Sequence, residues 1–121
     1  LGLVGSEMCI RDSGNNRIQI FDQDGELLAI WTQFGRPSGI WIDANDPIYV
    51  ADGMSGEQWN TGWQRGIRIG DVESGYVTEF IPDYEIPNGS GIEFLASDAD
   101  ANIYAGQVGR QRFEKYVRVR P

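Results

Sequence analysis

The sequence predicts an all-β fold of repeated antiparallel sheets, and three observations predict it. The first is internal repetition. Gly14-Asn15-Asn16-Arg17-Ile18-Gln19-Ile20-Phe21 returns as Gly109-Arg110-Gln111-Arg112-Phe113-Glu114-Lys115-Tyr116, and Arg65-Gly66-Ile67-Arg68-Ile69-Gly70-Asp71 shadows the stretch from Asn16 to Asp22. Asp43-Ala44-Asn45-Asp46-Pro47-Ile48-Tyr49-Val50 is echoed by Asp98-Ala99-Asp100-Ala101-Asn102-Ile103-Tyr104-Ala105. The spacing, roughly 46 to 55 residues, is that of one four-stranded blade in a propeller array. The second observation is short segments that alternate apolar and polar residues, the period of a half-buried strand. The third is 16 glycines with no segment of sustained helical period. The expected fold is therefore a fragment of a β-propeller, about two to three antiparallel four-stranded blades.

The elements follow in chain order. Residues 3–13 look like an in-frame translation of a sequencing-library adapter, so residues 1–13 are set apart as a non-native leader. On that reading the parent chain extends upstream. Ile18 and Ile20 alternate with Arg17 and Gln19, giving a strand, and Asp22-Gln23-Asp24-Gly25 supplies turn chemistry. Residues 26–31 form the next strand. Phe34-Gly35-Arg36-Pro37-Ser38-Gly39 is a loop, because Pro37 lacks a donor and glycines flank it. Strands follow over 40–42 and 48–51. Residues 52–64 form a long polar insertion, and insertions of this length are usually functional or disordered. Strands resume over 67–69 and 76–81. Pro82, Pro87 and Gly89 break the chain over 82–90. The last strands cover 91–96, 102–106 and 112–119. The expected divisions are a leader over 1–13, a partial blade of two outer strands over 14–35, a complete blade over 36–82, and a final blade over 83–121 without its outermost strand.

Composition excludes several functions. The net charge of −8 opposes binding to phosphate backbones, so no nucleic-acid partner is expected. The single cysteine, Cys9, lies in the leader and cannot form a disulfide within the chain. Histidine is absent, which removes the commonest general base and the commonest zinc ligand. No apolar run reaches the length of a membrane-spanning helix.

Gly14-Asn15-Asn16-Arg17-Ile18-Gln19-Ile20-Phe21-Asp22, Gly25, Arg36-Pro37-Ser38-Gly39-Ile40 and Ile48-Tyr49-Val50-Ala51-Asp52 resemble the NHL repeat over about residues 14–121. The resemblance implies a six-bladed β-propeller, usually a platform for protein, peptide, carbohydrate or RNA ligands. The closing region, from Arg65-Gly66-Ile67-Arg68-Ile69-Gly70 through Lys115-Tyr116-Val117-Arg118, is similar to bacterial propellers of the peptidyl-α-hydroxyglycine α-amidating lyase-like type. That likeness implies histidine zinc ligands and an extracytoplasmic or periplasmic setting. The matching slots here hold Ser38, after Pro37, and Ser90, after Gly89, and serine is not a plausible substitute. No cofactor is expected in this fragment. Zinc or calcium would belong to upstream blades of the full-length parent.

Loops joining outer to inner strands, and second to third strands, share one end of a propeller and form its default binding face. The candidate binding residues on them are Arg36, Ser38, Asp52, Trp59, Trp63, Arg65, Asp83, Tyr84, Ser90 and Arg110. Trp59 and Trp63 either stack on sugars or peptides at the rim or fold back between blades. Arg17, Arg65 and Arg112 recur at equivalent sites, as a ring of guanidinium groups or as repeated stabilising contacts. Asp43, Asp46, Asp98 and Asp100 lack the spacing of a calcium loop and read as hairpin-turn residues. Ser38 and Ser90 lack a histidine partner, so nucleophilic catalysis is not expected. The expected function is ligand or protein recognition by a propeller fragment, with a peptide, protein or carbohydrate partner and with upstream blades of its own chain alongside. The alternative is the non-catalytic part of an amidating-lyase-like enzyme whose metal site lies upstream.

Overall fold

The computed structural model describes residues 7–43, 47–56, 60–83, 91–107 and 111–119. They are nearly all β. Ten strands run in chain order: β1 (Glu7–Asp12), β2 (Arg17–Asp22), β3 (Leu27–Trp31), β4 (Gly39–Ile42), β5 (Pro47–Asp52), β6 (Gly66–Asp71), β7 (Val77–Pro82), β8 (Phe94–Ser97), β9 (Ile103–Gln107) and β10 (Arg112–Tyr116). They form three antiparallel sheets of consecutive strands, ordered β1-β2-β3, β4-β5-β6-β7 and β8-β9-β10. One 3₁₀ turn, Ser13–Asn15, joins β1 to β2.

The register repeats from sheet to sheet. β1 pairs with β2 from Glu7↔Asp22 to Asp12↔Arg17, and β5 pairs with β6 from Pro47↔Asp71 to Asp52↔Gly66. β9 pairs with β10 from Ile103↔Tyr116 to Gln107↔Arg112. The first sheet therefore has one strand more than the two expected over 14–35. Glu7–Asp12, set apart with the leader in the sequence reading, occupies against β2 the place that β5 occupies against β6. The physical reason lies in the pairing: Cys9 and Arg11 fall opposite Ile20 and Ile18, which puts the Cys9 side chain against the buried isoleucines.

The turns at one end of the sheets repeat too. The Asp22 carboxylate accepts from the amides of Asp24 and Glu26, both at 2.9 Å, and Gly25 takes a φ of +82°. Asp71 caps the β6–β7 turn through the amide of Glu73 at 2.7 Å, with Gly75 at +77°. Asp98 caps the β8–β9 turn through Asp100 and Asn102. These are aspartate turns in which the side chain replaces a backbone acceptor. Asp98 is thus a hairpin residue. Asp46 lies outside the described residues.

The sheets pack face to face in chain order. Ile18, Ile20 and Trp31 of the first sheet meet Ile48, Val50, Phe34 and Val72, with Trp31 and Phe34 ring centroids 5.8 Å apart. Tyr49, Ala51, Ile67 and Ile69 meet Ile92, Leu95, Ile103 and Ala105 of the third sheet. Successive β5 side chains thus go to opposite cores, Ile48 and Val50 to one and Tyr49 and Ala51 to the other. Alternation along a strand normally separates core from solvent. In β5 it separates one core from another.

Polar ties reinforce the junction of the second and third sheets. Trp41 Nε1 donates to Ser97 Oγ at 2.9 Å, and Ser97 donates to Asp43. After Tyr116 the chain leaves the sheet. The Arg118 guanidinium forks onto Glu79 of β7 at 2.9 and 3.1 Å, and its amide donates to Asn102 Oδ1. β10 therefore ends earlier than the 112–119 expected from alternation.

Candidate functional site

The turns β2–β3, β6–β7 and β8–β9 lie at one end of the stack. The connections before β2, β4, β6, β8 and β10 lie at the other, and those before β4, β6 and β8 are the longer ones. Contacts between sheets hold this loop end together. Ser13 donates to the carbonyl of Pro37, Arg36 Nη1 donates to Asn16 Oδ1 at 3.1 Å, and the Gly91 amide donates to the carbonyl of Gly53 at 2.8 Å. Of the residues proposed from sequence, Arg36, Ser38, Asp52, Trp63, Arg65 and Asp83 lie at this end. Trp59, Tyr84, Ser90 and Arg110 lie outside the described residues.

Asp52 closes β5 and is fully buried. Burying a carboxylate is costly unless it is well hydrogen-bonded or paired. Here it accepts from the amides of Arg36, Met54 and Ser55 at 3.1, 3.1 and 2.9 Å, and from the Ser55 hydroxyl. The buried Arg68 guanidinium adds a contact at 3.4 Å. Asp52 thus organises the β3–β4 and β5–β6 loops at once. Fully buried, it has backbone amides, the Ser55 hydroxyl and Arg68 as its partners.

Arg68 was not singled out from sequence. Its guanidinium packs 4.5 Å from the Phe80 ring and 5.0 Å from the Trp63 ring, and Nη2 donates to the carbonyl of Gln64 at 2.8 Å. Burial pushes its pKa below the usual arginine value, against the pull of the Asp52 charge. Trp63 has the Arg68 guanidinium 5.0 Å from its ring, and the side chain still reaches solvent.

Ser38 is a junction. Its hydroxyl donates to the carbonyl of Ile92 at 2.6 Å, lies 3.1 Å from the carbonyl of Ala51, and accepts the Gly53 amide at 3.2 Å. One hydroxyl so ties the second sheet to the chain entering the third. The histidine slot implied by the lyase likeness is filled at this position by a structural bond. Among the described residues no group of three or more His, Cys, Asp or Glu is placed to hold a metal ion.

The recurring arginines bond within their own hairpins. Arg17 Nε donates to Asp12 Oδ2 at 2.9 Å, Arg65 Nε to the carbonyl of Ser55 at 3.1 Å, and Arg112 Nη2 to Gln107 Oε1 at 3.0 Å. Hydrogen bonds from Asn15 and Arg17 hold the Asp12 carboxyl below its ordinary pKa. Asp12, Asp52 and Gln107 fill one repeated slot, the last residue of β1, β5 and β9. Each accepts there from an arginine. The backbone of Arg65 also receives the Asp83 amide at 3.0 Å, joining two candidate residues.

Between these fixed parts lies a cleft of about 440 Å³, lined by Arg11, Arg36, Ser38, Met54, Glu93 and Phe94. Cleft residues come from β1, from β8 and from the connections that flank β4 and β5. The arrangement offers one apolar wall, two cations (Arg11 and Arg36) and one carboxylate (Glu93). Of the hydroxyls around it, Ser13 and Ser38 are bonded to backbone carbonyls and Ser55 to the buried Asp52 carboxylate.

No family model matches the chain, and no curated protein matches it either.

Proposed function

We propose that the chain comprises three neighbouring blades of an NHL-type β-propeller and that its loop end is a recognition platform for a peptide, protein or carbohydrate ligand. One observation carries the reading. Three sheets of shared register are stacked face on face, and at one end a cleft is lined by β1, by β8 and by the connections that flank β4 and β5. A two-layer sandwich leaves the outer side of each sheet wet. The strands β5 and β6 of the second sheet are buried on both faces, as in an interior member of a repeating array. A concave site with an apolar wall and few polar groups is the usual form of a ligand pocket.

Binding by this platform needs no covalent step. Phe94 and Met54 would cover apolar ligand surface, and Arg36 would orient an acceptor-bearing group such as a carboxylate or a sugar hydroxyl. The test is a screen of the purified chain against a displayed random-peptide library and a glycan array, with hits measured by calorimetry. A retained probe should lose at least tenfold in affinity on Met54→Ala or Arg36→Ala, and Tyr76→Ala should leave it unchanged. Retention of no probe, or equal affinity in all three variants, would count against the platform.

A further inference from the structure

We propose that residues 117–119 are a strap latched by one ion pair, Arg118 to Glu79, and that screening or breaking the pair lifts the strap and joins two cavities into one groove. The device lies away from the loop-end cleft and is independent of the ligand reading.

The strap begins where the sheet ends. β10 stays in register with β9 as far as Tyr116↔Ile103, and the next three residues belong to no strand. Among the described residues, the hydrogen bonds of this segment all start from Arg118. Its Nη1 and Nη2 fork onto the two Glu79 oxygens, and its amide donates to Asn102 Oδ1 at 3.2 Å. Val117 and Val119 are 61% and 86% exposed, so neither valine anchors the segment by burial. One residue thus carries the attachment, to one side chain in β7 and one at the β8–β9 turn.

The latch is of a kind that salt weakens. Both partners of the Arg118–Glu79 pair stand partly in water. Such an ion pair contributes little to the stability of a fold, and it is screened further as ionic strength rises. Its loss falls on the strap alone, because β7 and β10 keep their pairing with β6 and β9. A segment with few buried contacts and a single attachment is where local opening starts.

The surroundings give the opening a consequence. A cavity of about 390 Å³ reaches from the strap to Pro47, Tyr49 and Thr78. A second, of about 210 Å³, reaches to Ile81, Ile103 and Tyr116. Ile69, Glu79, Ala101, Arg118 and Val119 line both, so the strap and its latch form the partition between them. Lifting residues 117–119 removes the movable half of that partition. A single groove then runs across Ile69, on the core between the second and third sheets.

The experiment is nitrogen-15 relaxation of the full 121-residue chain, read as backbone order parameters at residues 117–119. At low salt the strap should match β10, near about 0.85. Raising sodium chloride to about 1 M, or Glu79→Gln at either salt level, should lower it below about 0.6. Glu79→Arg combined with Arg118→Glu should restore both the order and its salt dependence. Glu73→Gln, which removes a carboxylate from the β6–β7 turn, should leave the strap as it is. A soluble nitroxide should broaden the Ile69 and Tyr116 side-chain signals about threefold more in Glu79→Gln than in the parent, because the groove is then open. A strap already disordered in the parent at low salt, order that survives salt or Glu79→Gln, a charge swap that fails to restore it, or equal broadening in the two proteins would overturn the proposal.

Discussion

Gly35 lies directly against Asp52: a Cβ added to it would stand 2.4 Å from Asp52 Oδ2 and 2.8 Å from Arg68 Nη1. The glycine also has a φ of +80°, where a side chain is strained. The loop preceding β4 can pass over the buried carboxylate only because this residue has no side chain. Asp52 cannot swing aside, because it holds three backbone amides and a hydroxyl. Gly35→Ala is therefore expected to cost about 2–3 kcal/mol, combining positive-φ strain with displacement of a bonded group. Urea unfolding of the two proteins measures it. A loss under half a kilocalorie would show that the carboxylate moves freely.

The Asp52–Arg68 pair gives a second expectation. Removing one partner of a buried ion pair leaves the other charge uncompensated, which costs about 3–5 kcal/mol. Asp52→Ala should fall in that range and should also loosen the Arg36 and Ser55 amides. Arg68→Met in the same background should recover part of the loss, because the stranded guanidinium is gone and an apolar chain still packs on Phe80. A double-mutant cycle reads the coupling directly. Additive effects would mean that Arg68 is held by Trp63, Phe80 and Gln64 alone.

Alkaline pH should weaken the fold through Tyr116. Burial, followed by the Glu114 charge, pushes its phenol up to about 12. An unfolded tyrosine titrates near 10. The folded-state pKa is the higher one, so the folded state holds the proton that the unfolded state releases. Stability from this group is fully present below about pH 10 and declines as pH rises from there towards 12. Tyr49 is shifted in the same direction, with burial again the first cause and the Asp43 charge next. Denaturation midpoints should be flat from neutrality to about pH 9 on this account and fall above about 10. Tyr116→Phe should reduce the alkaline fall, and an unchanged profile would remove Tyr116 from the explanation.

The order of strands, the turns and the position of the loop end were legible because they are local. Alternation marks Ile18 and Ile20, Asp22 and Asp98 sit where their turns need an acceptor, and the repeats set the period. What could not be read depends on partners far along the chain. Arg68 lies between two isoleucines and reads as the solvent side of a strand. It becomes interior because Asp52, Trp63, Gln64 and Phe80 gather around its guanidinium. Ser38 reads as a rim residue, yet its main bond reaches Ile92 in another sheet. Gln107 resembles no aspartate, and its equivalence to Asp52 follows only once β9 and β5 are set in the same register. Residues 7–12 were hidden by their likeness to an adapter. Their pairing with β2 comes from the edge that β2 offers and from Cys9 meeting the first core.

Cys9 provides the most direct check on that added strand. Its side chain packs against the core of the first and second sheets, and burial pushes the thiol up to about 11. An unshielded cysteine titrates near 8.5. The thiolate is the reactive form, so a docked β1 makes Cys9 slow towards thiol reagents at pH 8. Labelling with an aromatic disulfide reagent should proceed at least tenfold more slowly in the native chain than in urea. The rate should track the unfolding equilibrium as denaturant is added. Adding Asp at Ile20, directly opposite Cys9 in β2, should expose the thiol and speed labelling, since a charge beneath it breaks the same packing. Rapid labelling of the unaltered protein in buffer would mean that Glu7–Asp12 is not held on the sheet.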